Sequence, residues 1–340
     1  MSYHIDYKRI NWLRKPRNLK LILTIQLSVI LILIIIMTNC FKKPQEPIRI
    51  GISPWPGYEP MFLAREKGYF SEKDVKLIDY TSVTGQSRAF VNGAVDAAAM
   101  TLDVATKLRE SGVDLRIVLV FDVSNGGDVI LANPVYQTLK DLKNKKIGVE
   151  TTSIGDYMIS RALELSGMKL TDIKVVPLEI SEHERAFKEK RVDAIVTYEP
   201  VKTKLIAYGA NKIFDSSQIP GEIVDVLVVR TDYLKKGDKQ LISLLNGWFK
   251  ALGALTTDSL NSIRFMAARE QISDKEFILS LEGLTIPNMQ SNIMQLGGAN
   301  PGLLAPARHL ERIMYEKKLI EGRVDLVKLF DASFIERLTK

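Results

Sequence analysis

Ile50-Gly51, Arg88-Ala89-Phe90 and Val95-Asp96-Ala97 return 97 residues later as Ile147-Gly148, Arg185-Ala186-Phe187 and Val192-Asp193-Ala194. Eight identities in three blocks at one offset, without a gap, mark an internal duplication. The two copies share one grammar. A short apolar strand (Ile48–Ile52; Lys146–Val149) leads through a turn-rich loop to an amphipathic helix (Pro60–Lys67; Asp156–Ser166). A second strand (Val75–Tyr80; Ile173–Leu178), a second helix (Gln86–Val91; His183–Lys188) and a third strand (Ala97–Thr101; Ala194–Thr197) complete each copy. Strands alternating with helices predict an α/β fold with parallel sheets and crossover connections. Two such copies predict two lobes facing each other across a cleft. Ligands bind such sheets beyond the carboxyl ends of the strands. That rule selects the loops 53–59 and 101–103 in the first copy, and 150–155 and 198–200 in the second.

The length of 340 residues suits about two domains at roughly 150 residues each. Hydrophobic residues make up 46% and charged ones 26%, which excludes disorder, collagen-like repeats and a multi-pass membrane protein. The net charge of +7 is unevenly placed: residues 1–40 hold six bases and one acid, leaving 41 bases against 39 acids. A nearly neutral remainder offers no basic groove, so nucleic acid is not an expected partner. One cysteine, Cys40, can form neither an internal disulfide nor a Cys-rich metal site. No HExxH, P-loop, paired-cysteine spacing or Ser/His/Asp set is present. The expectation is a non-enzymatic monomer with no metal and no cofactor. His183 and His309 lie in polar helical contexts and are expected at the surface. The tail reads as amphipathic helices (Leu241–Leu255, Leu260–Arg269, Leu303–Lys318), with Trp248 and Phe249 as core residues.

Residues 1–20 are basic and polar, and an apolar run from Leu21 to Met37 follows. A charged region before an apolar one is the pattern of an export signal. The run is also just long enough for an uncleaved anchor. With the bases before the span, either version sends the rest of the chain outward. Cys40, three residues past the run, is a candidate lipid-attachment site, although Asn39 stands where a small residue is usual. An incidental cysteine is the remaining alternative. Residues 1–40 are thus read as a signal or anchor, and 41–47, with Pro44 and Pro47, as a tether. The folded part is expected outside the cytoplasm and attached to a membrane, through lipid or span.

Gly51-Ile52-Ser53-Pro54-Trp55-Pro56-Gly57-Tyr58-Glu59, then Leu63-Ala64-Arg65 and Gly68-Tyr69-Phe70, resembles the solute-binding proteins of ABC importers of the nitrate/taurine/sulfonate/thiamine-precursor (NMT1-like) type. The likeness continues through Gly93-Ala94-Val95-Asp96-Ala97-Ala98, Ser124-Asn125-Gly126-Gly127-Asp128 and Tyr198-Glu199-Pro200, over roughly residues 48–285. The resemblance implies a two-lobed periplasmic-binding-protein-like fold of type II that closes on a small molecule and presents it to a permease and its ATPase. By the same analogy the chain crosses between lobes near 129–133 and 224–229. Lobe I would then be 48–129 plus 228–340, and lobe II 130–227. The competing expectation is a membrane-anchored sensor built on the same module. Relatives that make the thiamine pyrimidine resemble a suicide enzyme with a cysteine-rich motif, which this chain lacks.

Trp55 and Tyr58, held between Pro54, Pro56 and Gly57, offer flat area for stacking on a planar or cationic ligand. The alternative is a tight turn whose aromatics plug the core. Gly126 and Gly127 allow close backbone approach, making Asn125, Gly126 and Asp128 candidates to line the cleft, against a plain loop. Thr151 and Ser153, before a helix, can hold a polar ligand group or simply cap the helix. Gln86, opening the second helix, is a further candidate. Asp103 and Glu199, on opposite lips, and Asp225, near the return crossover, are candidate carboxylates, against ordinary solvated ones. Asp96 and Asp193, each just before a strand, are read as turn formers. The mouth loops carry Glu59, Asp103, Asp122, Asp128, Glu150, Glu199 and Asp225, and no Lys or Arg. An unpaired anion among carboxylates is costly, so the expected ligand is a cationic amine or a polar heterocycle such as an aminopyrimidine. Arg88 could supply a positive charge, but its repeat mate Arg185 points to a structural role.

Overall fold

The computed structural model describes residues 23–31, 46–150 and 153–339. Cys40 and Thr151 lie outside the described residues, as does the side chain of Ser153. The chain divides into two units, Met1–Gln45 and Glu46–Lys340. In the first, 23–31 are helical; among the described residues no helix is long and apolar enough to cross a membrane.

The second unit opens with β1 (Ile48–Ile52), α1 (Glu59–Glu66), β2 (Val75–Asp79), α2 (Val83–Val91), β3 (Ala97–Thr101), α3 (Leu102–Glu110) and β4 (Leu115–Ser124). It continues with β5 (Val129–Ala132), β6 (Lys146–Val149), α4 (Ser153–Leu165), β7 (Lys174–Pro177), α5 (Ile180–Lys188), β8 (Ala194–Thr197), α6 (Val201–Ala207) and β9 (Asn211–Asp215). Then come β10 (Val224–Arg230), α7 (Thr231–Leu234), α8 (Asp238–Thr257), α9 (Ser259–Glu270), α10 (Asp274–Glu282), β11 (Leu284–Thr285), α11 (Met289–Leu296), α12 (Leu304–Glu316) and α13 (Ser333–Glu336).

Two sheets result, ordered β11-β4-β10-β3-β1-β2 and β7-β6-β8-β5-β9. The duplication is legible in their registers. Ile50 pairs with Ala97 and Gly51 with Ala98 between β1 and β3. Their counterparts Ile147 and Gly148 pair with Ala194 and Ile195 between β6 and β8. Each three-stranded parallel core is flanked by an antiparallel strand supplied by the chain's passage between sheets: β10 beside β3 and β5 beside β8.

The passages lie between Ser124 and Val129 and between Asp215 and Val224. The expected crossovers at 129–133 and 224–229 are therefore displaced, because those residues form β5 and β10 themselves. Residues 224–227 pair within the first sheet, and Val129 within the second. Both strands are buried apart from Arg230 at the end of β10, so their largely apolar runs give no sign of where one lobe ends. The glycine-bearing segments before them do the linking.

Asp96 and Asp193 hold equivalent posts. Asp96 accepts from the Arg49 backbone N–H at 2.9 Å and is gripped by the Arg49 guanidinium. Asp193 accepts from the Lys146 N–H at 2.9 Å and from the Tyr136 hydroxyl at 3.0 Å. Each carboxylate thus ties the start of its first strand to the loop before its third. Replacing Asp96 with Ala leaves a strand N–H without its acceptor and is expected to cost about 2 kcal/mol, read as a lower midpoint in denaturant unfolding with an unchanged slope.

The helices pack on the sheets through apolar faces, and a second pair of repeat equivalents shows how closely. Gln86 on α2 and His183 on α5 are 97 residues apart, and both are fully buried. Gln86 Nε2 donates to the carbonyls of Gly51 and Ala99. His183 Nδ1 bonds the Thr197 hydroxyl at 3.1 Å, and burial pushes its pKa down to about 4. The surface placement expected for His183 is thereby corrected: it shares the inner face of α5 with Ile180, Ala186 and Phe187, at helical spacing. His309 is on the surface, as expected. Trp248 is fully buried and Phe249 half-buried against the core.

A candidate ligand site at the carboxyl ends of both sheets

The loop after β1 is shaped by its prolines and one glycine. Pro56 opens a single turn of 3₁₀-helix, Pro56–Tyr58, that runs directly into α1; its fixed φ suits that first helical position. Gly57 faces the loop's interior. A β-carbon there would stand 2.0 Å from Asp122 Oδ2 and 2.6 Å from Trp55 Nε1. Only glycine lets the indole reach its partner: Trp55 Nε1 donates to Asp122 Oδ2 at 3.0 Å. On the far side, a β-carbon on Gly127 would meet the Trp55 ring at 2.9 Å. The indole is therefore clasped between two glycines.

Around it a small cavity is lined by Ser53, Pro54, Trp55 and Tyr58 from the β1 loop, and by Met100 and Thr101 at the end of β3. Val83, Asp128, Ile154, Tyr198 and Asp225 complete the wall. Its volume is about 30 Å³, room for one or two waters or a single ammonium group. The wall segments sit at strands' carboxyl ends, helices' first turns or a crossover, except Asp225, which enters from the amino end of the antiparallel β10. Trp55 from one sheet meets Tyr198 from the other edge to face, with centroids 5.9 Å apart at 72°. The two halves thus close on each other through aromatic rings.

The charged groups of this wall are acidic, Asp128 and Asp225, with Asp122 and Glu150 bonded behind it. Asp225 lies on β10 directly opposite Thr101 of β3 and Asp122 of β4, so the sheet register itself brings two carboxylates side by side. Tyr58 donates its hydroxyl to Asp225, and Tyr198 donates to Glu150 at 3.1 Å. Asp122 Oδ1, Asp128 Oδ2 and Glu150 Oε1 are buried without a hydrogen-bond partner. Burial is the main cause of raised carboxyl pKa values here. It pushes Asp128 up to about 7, reinforced by the nearby Asp103 and Glu199 charges and opposed by the Ser124 hydroxyl and Lys202. Glu150 is pushed up to about 7 by burial. Asp122 and Asp225 are both raised by burial, with the charge of Asp122 adding to the rise at Asp225. No Lys or Arg lines the cavity among the described residues.

Several sequence candidates meet here and others do not. Trp55, Tyr58, Asp128 and Asp225 line the cavity. Asp103 is buried on α3 behind the wall, where its charge raises both Asp128 and Asp225. Asn125 and Gly126 serve the crossover: the Asn125 N–H donates to the Gly283 carbonyl, and the Gly126 N–H to the Ser216 hydroxyl. Gly126 holds φ 108°, a region that favours glycine. Gln86 does not line the cavity; its Nε2 fastens two backbone carbonyls, and its buried Oε1 has no hydrogen-bond partner. Glu199 is likewise occupied within its own turn, by Lys202 at 2.9 Å and by the Thr203 N–H and hydroxyl. Arg88 lines an outer groove between α2 and α3 and not the cavity. Tyr198, Thr101, Met100 and Ile154 were not singled out. The strand-end rule had selected the loops that hold Tyr198 and Thr101, though only Asp103 and Glu199 were named from them as contacts, while Met100 and Ile154 carry no signal beyond apolarity.

The sequence model of the NMT1-like family matches residues 42–268, well over half of the chain. The chain belongs to the NMT1-like family. This NMT1-like protein is 30% identical over 165 residues to a protein named as a binding protein in Brucella abortus, covering 46% of this chain and 49% of that one. It therefore spans about half the length of the first curated relatives it matches. It is 24% identical over 298 residues to a protein named as an aliphatic sulfonates-binding protein in Escherichia coli, covering 84% and 88% of the two chains. Among solved structures, its fold matches the ligand-binding component of an ABC-type import system from Staphylococcus aureus with a TM-score of 0.72. That match has 14% identity and covers 86% of this chain and 98% of the other. The two-lobed fold of the periplasmic binding proteins is thereby established for the NMT1-like chain.

Proposed function

We propose that this NMT1-like protein is the extracytoplasmic solute-binding component of an ABC importer, and that its ligand carries a cationic amine or an aminopyrimidine-like donor group. One observation carries the ligand class: Asp128 and Asp225 line a cavity walled by Trp55, Tyr58 and Tyr198, with no lining base among the described residues. A cation there gains charge-assisted hydrogen bonds and aromatic faces together. A sulfonate, the ligand named for the Escherichia coli relative, would face buried carboxylates with nothing to pair it. Closure follows from the site's construction: a ligand touching groups of both sheets binds the closed form better than the open one and shifts the population toward it. The export leader and Cys40 support placement at the outer face of a membrane, with delivery to a permease and its ATPase.

The raised carboxyl pKa values give this reading a pH signature of known sign. A cation needs the ionised carboxylates, so its affinity is expected to tighten as pH rises from 6 to 8, through the value of about 7 for Asp128. The ligand-free fold should respond the opposite way. Groups whose folded pKa is raised stabilise the fold fully below their unfolded value and lose that contribution as pH climbs through the folded one. Thermal unfolding of the ligand-free protein should therefore soften between about pH 4 and pH 8, while added ligand restores it most at pH 8. Native mass spectrometry of protein purified without refolding tests identity directly. A retained mass matching an amine or aminoheterocycle supports the reading, and a retained alkanesulfonate contradicts it.

A further inference from the structure

Ser53 and Pro54 have two sides. One lines the small cavity; the other lines a larger chamber of about 520 Å³ between the two sheets' loops. The inner space, about 30 Å³, holds a head group and little more. An aminopyrimidine or an amine with any chain beyond it has to continue somewhere, and the chamber is the adjoining space.

Its chemistry is specific. Arg269 enters from α9 but is already committed: it donates to Glu59 at 2.9 Å and Asp79 at 3.1 Å, and lies on the Phe62 ring at 3.5 Å. Two charged groups of opposite sign remain beside the neutral polar ones. Glu270, the last residue of α9, is 7% exposed, and its Oε1 has no hydrogen-bond partner. Gln271 follows in the left-handed conformation at φ 56° and ends the helix there. Lys204 reaches in from α6, on the other sheet's side, close enough for its charge to act on Glu270. An ammonium tail would gain Glu270 but be repelled by Lys204, and a carboxylate tail would gain Lys204 but be repelled by Glu270. A group that both donates and accepts suits the pair: its N–H gives to Glu270, and its carbonyl or ring nitrogen accepts from Lys204.

Resting on the cation reading of the inner cavity, we propose that the chamber is a second subsite for the same ligand, which reads a neutral donor–acceptor tail through Glu270 and Lys204. The ligand class is then a cationic head joined to a carboxamide or to the edge of an amino-heterocycle. Because the two residues come from opposite sides of the cleft, the tail also contributes to closure, and not only to affinity in the open form.

Four probes of equal chain length test this by calorimetric titration at pH 8: butylamine, 4-aminobutanamide, 4-aminobutanoate and 1,4-diaminobutane. The amide is expected to bind about tenfold tighter than butylamine, the gain of hydrogen bonds to charged partners. The acid and the diamine should show no such gain. In Lys204→Met and in Glu270→Met the ratio of amide to butylamine affinity should fall toward one. Equal affinities for the amide and butylamine in the wild-type protein, or a preference for the acid or the diamine, overturn the subsite while leaving the cationic head intact. Failure of all four to bind contradicts the cation reading itself, and the subsite with it.

Discussion

Asp128→Asn is expected to make the ligand-free protein harder to unfold and its ligand harder to hold. Burial raises the Asp128 carboxyl from 3.8 to about 7, so at pH 8 the fold carries an ionised group it would prefer to keep neutral. Removing that charge should stabilise the fold by up to about 3 kcal/mol at pH 8, or raise the thermal midpoint by roughly 6 °C. The advantage should shrink toward pH 5, where the wild-type carboxyl is itself protonated. Ligand responds in the opposite direction. Losing one charged partner in a desolvated site costs a bound cation about 3 kcal/mol, roughly a 100-fold rise in Kd. Opposite signs in one variant separate a site held ready for a cation from an ordinary structural carboxylate. Thermal unfolding and titration on the same preparation read both.

Gly57→Ala tests the clasp instead of the charge. The added carbon would sit 2.0 Å from Asp122 Oδ2 and 2.6 Å from Trp55 Nε1, far inside contact distance. Neither neighbour can retreat easily, since Asp122 lies within β4 and is fully buried, while Trp55 is penned by Gly127. Overpacking of this kind costs about 1–3 kcal/mol or more, and breaking the Trp55–Asp122 hydrogen bond adds the penalty of a buried charge without its donor. A fall in the thermal midpoint of roughly 6 °C or more is expected, with red-shifted tryptophan emission as the nearly buried indole is displaced toward solvent. Unchanged stability would mean that the loop relaxes without cost, and that Trp55 is not fixed by Asp122.

The duplicated blocks made the fold readable because a repeat constrains every register at once. Ile50 and Gly51 predict where Ala97 and Ala98 sit, and the second copy repeats the pairing. The strand-end rule then located the cavity before any side chain was placed. What stayed hidden depended on partners remote in sequence. Asp122 was counted among acidic loop residues, yet its role comes from Trp55, 67 residues earlier, and from Asp225 across the sheet. Gln86 and His183 read as polar helix residues. Only the packing of α2 and α5 on their sheets shows that both face inward, because a single polar residue within an apolar stripe looks the same as one at its edge. The crossovers were displaced because residues 129–132 and 224–230 are themselves buried strands, and the links run through the polar, glycine-bearing segments just before them.

The most direct test of a cation-binding cleft is calorimetric titration at pH 8 and low salt, setting butylamine and 4-aminopyrimidine against butanesulfonate. Buried carboxylates without a facing base predict binding by the amine or the aminopyrimidine, tighter at pH 8 than at pH 6 for the amine, and none by the sulfonate. Saturable binding of butanesulfonate with no response to either nitrogenous compound would contradict the account.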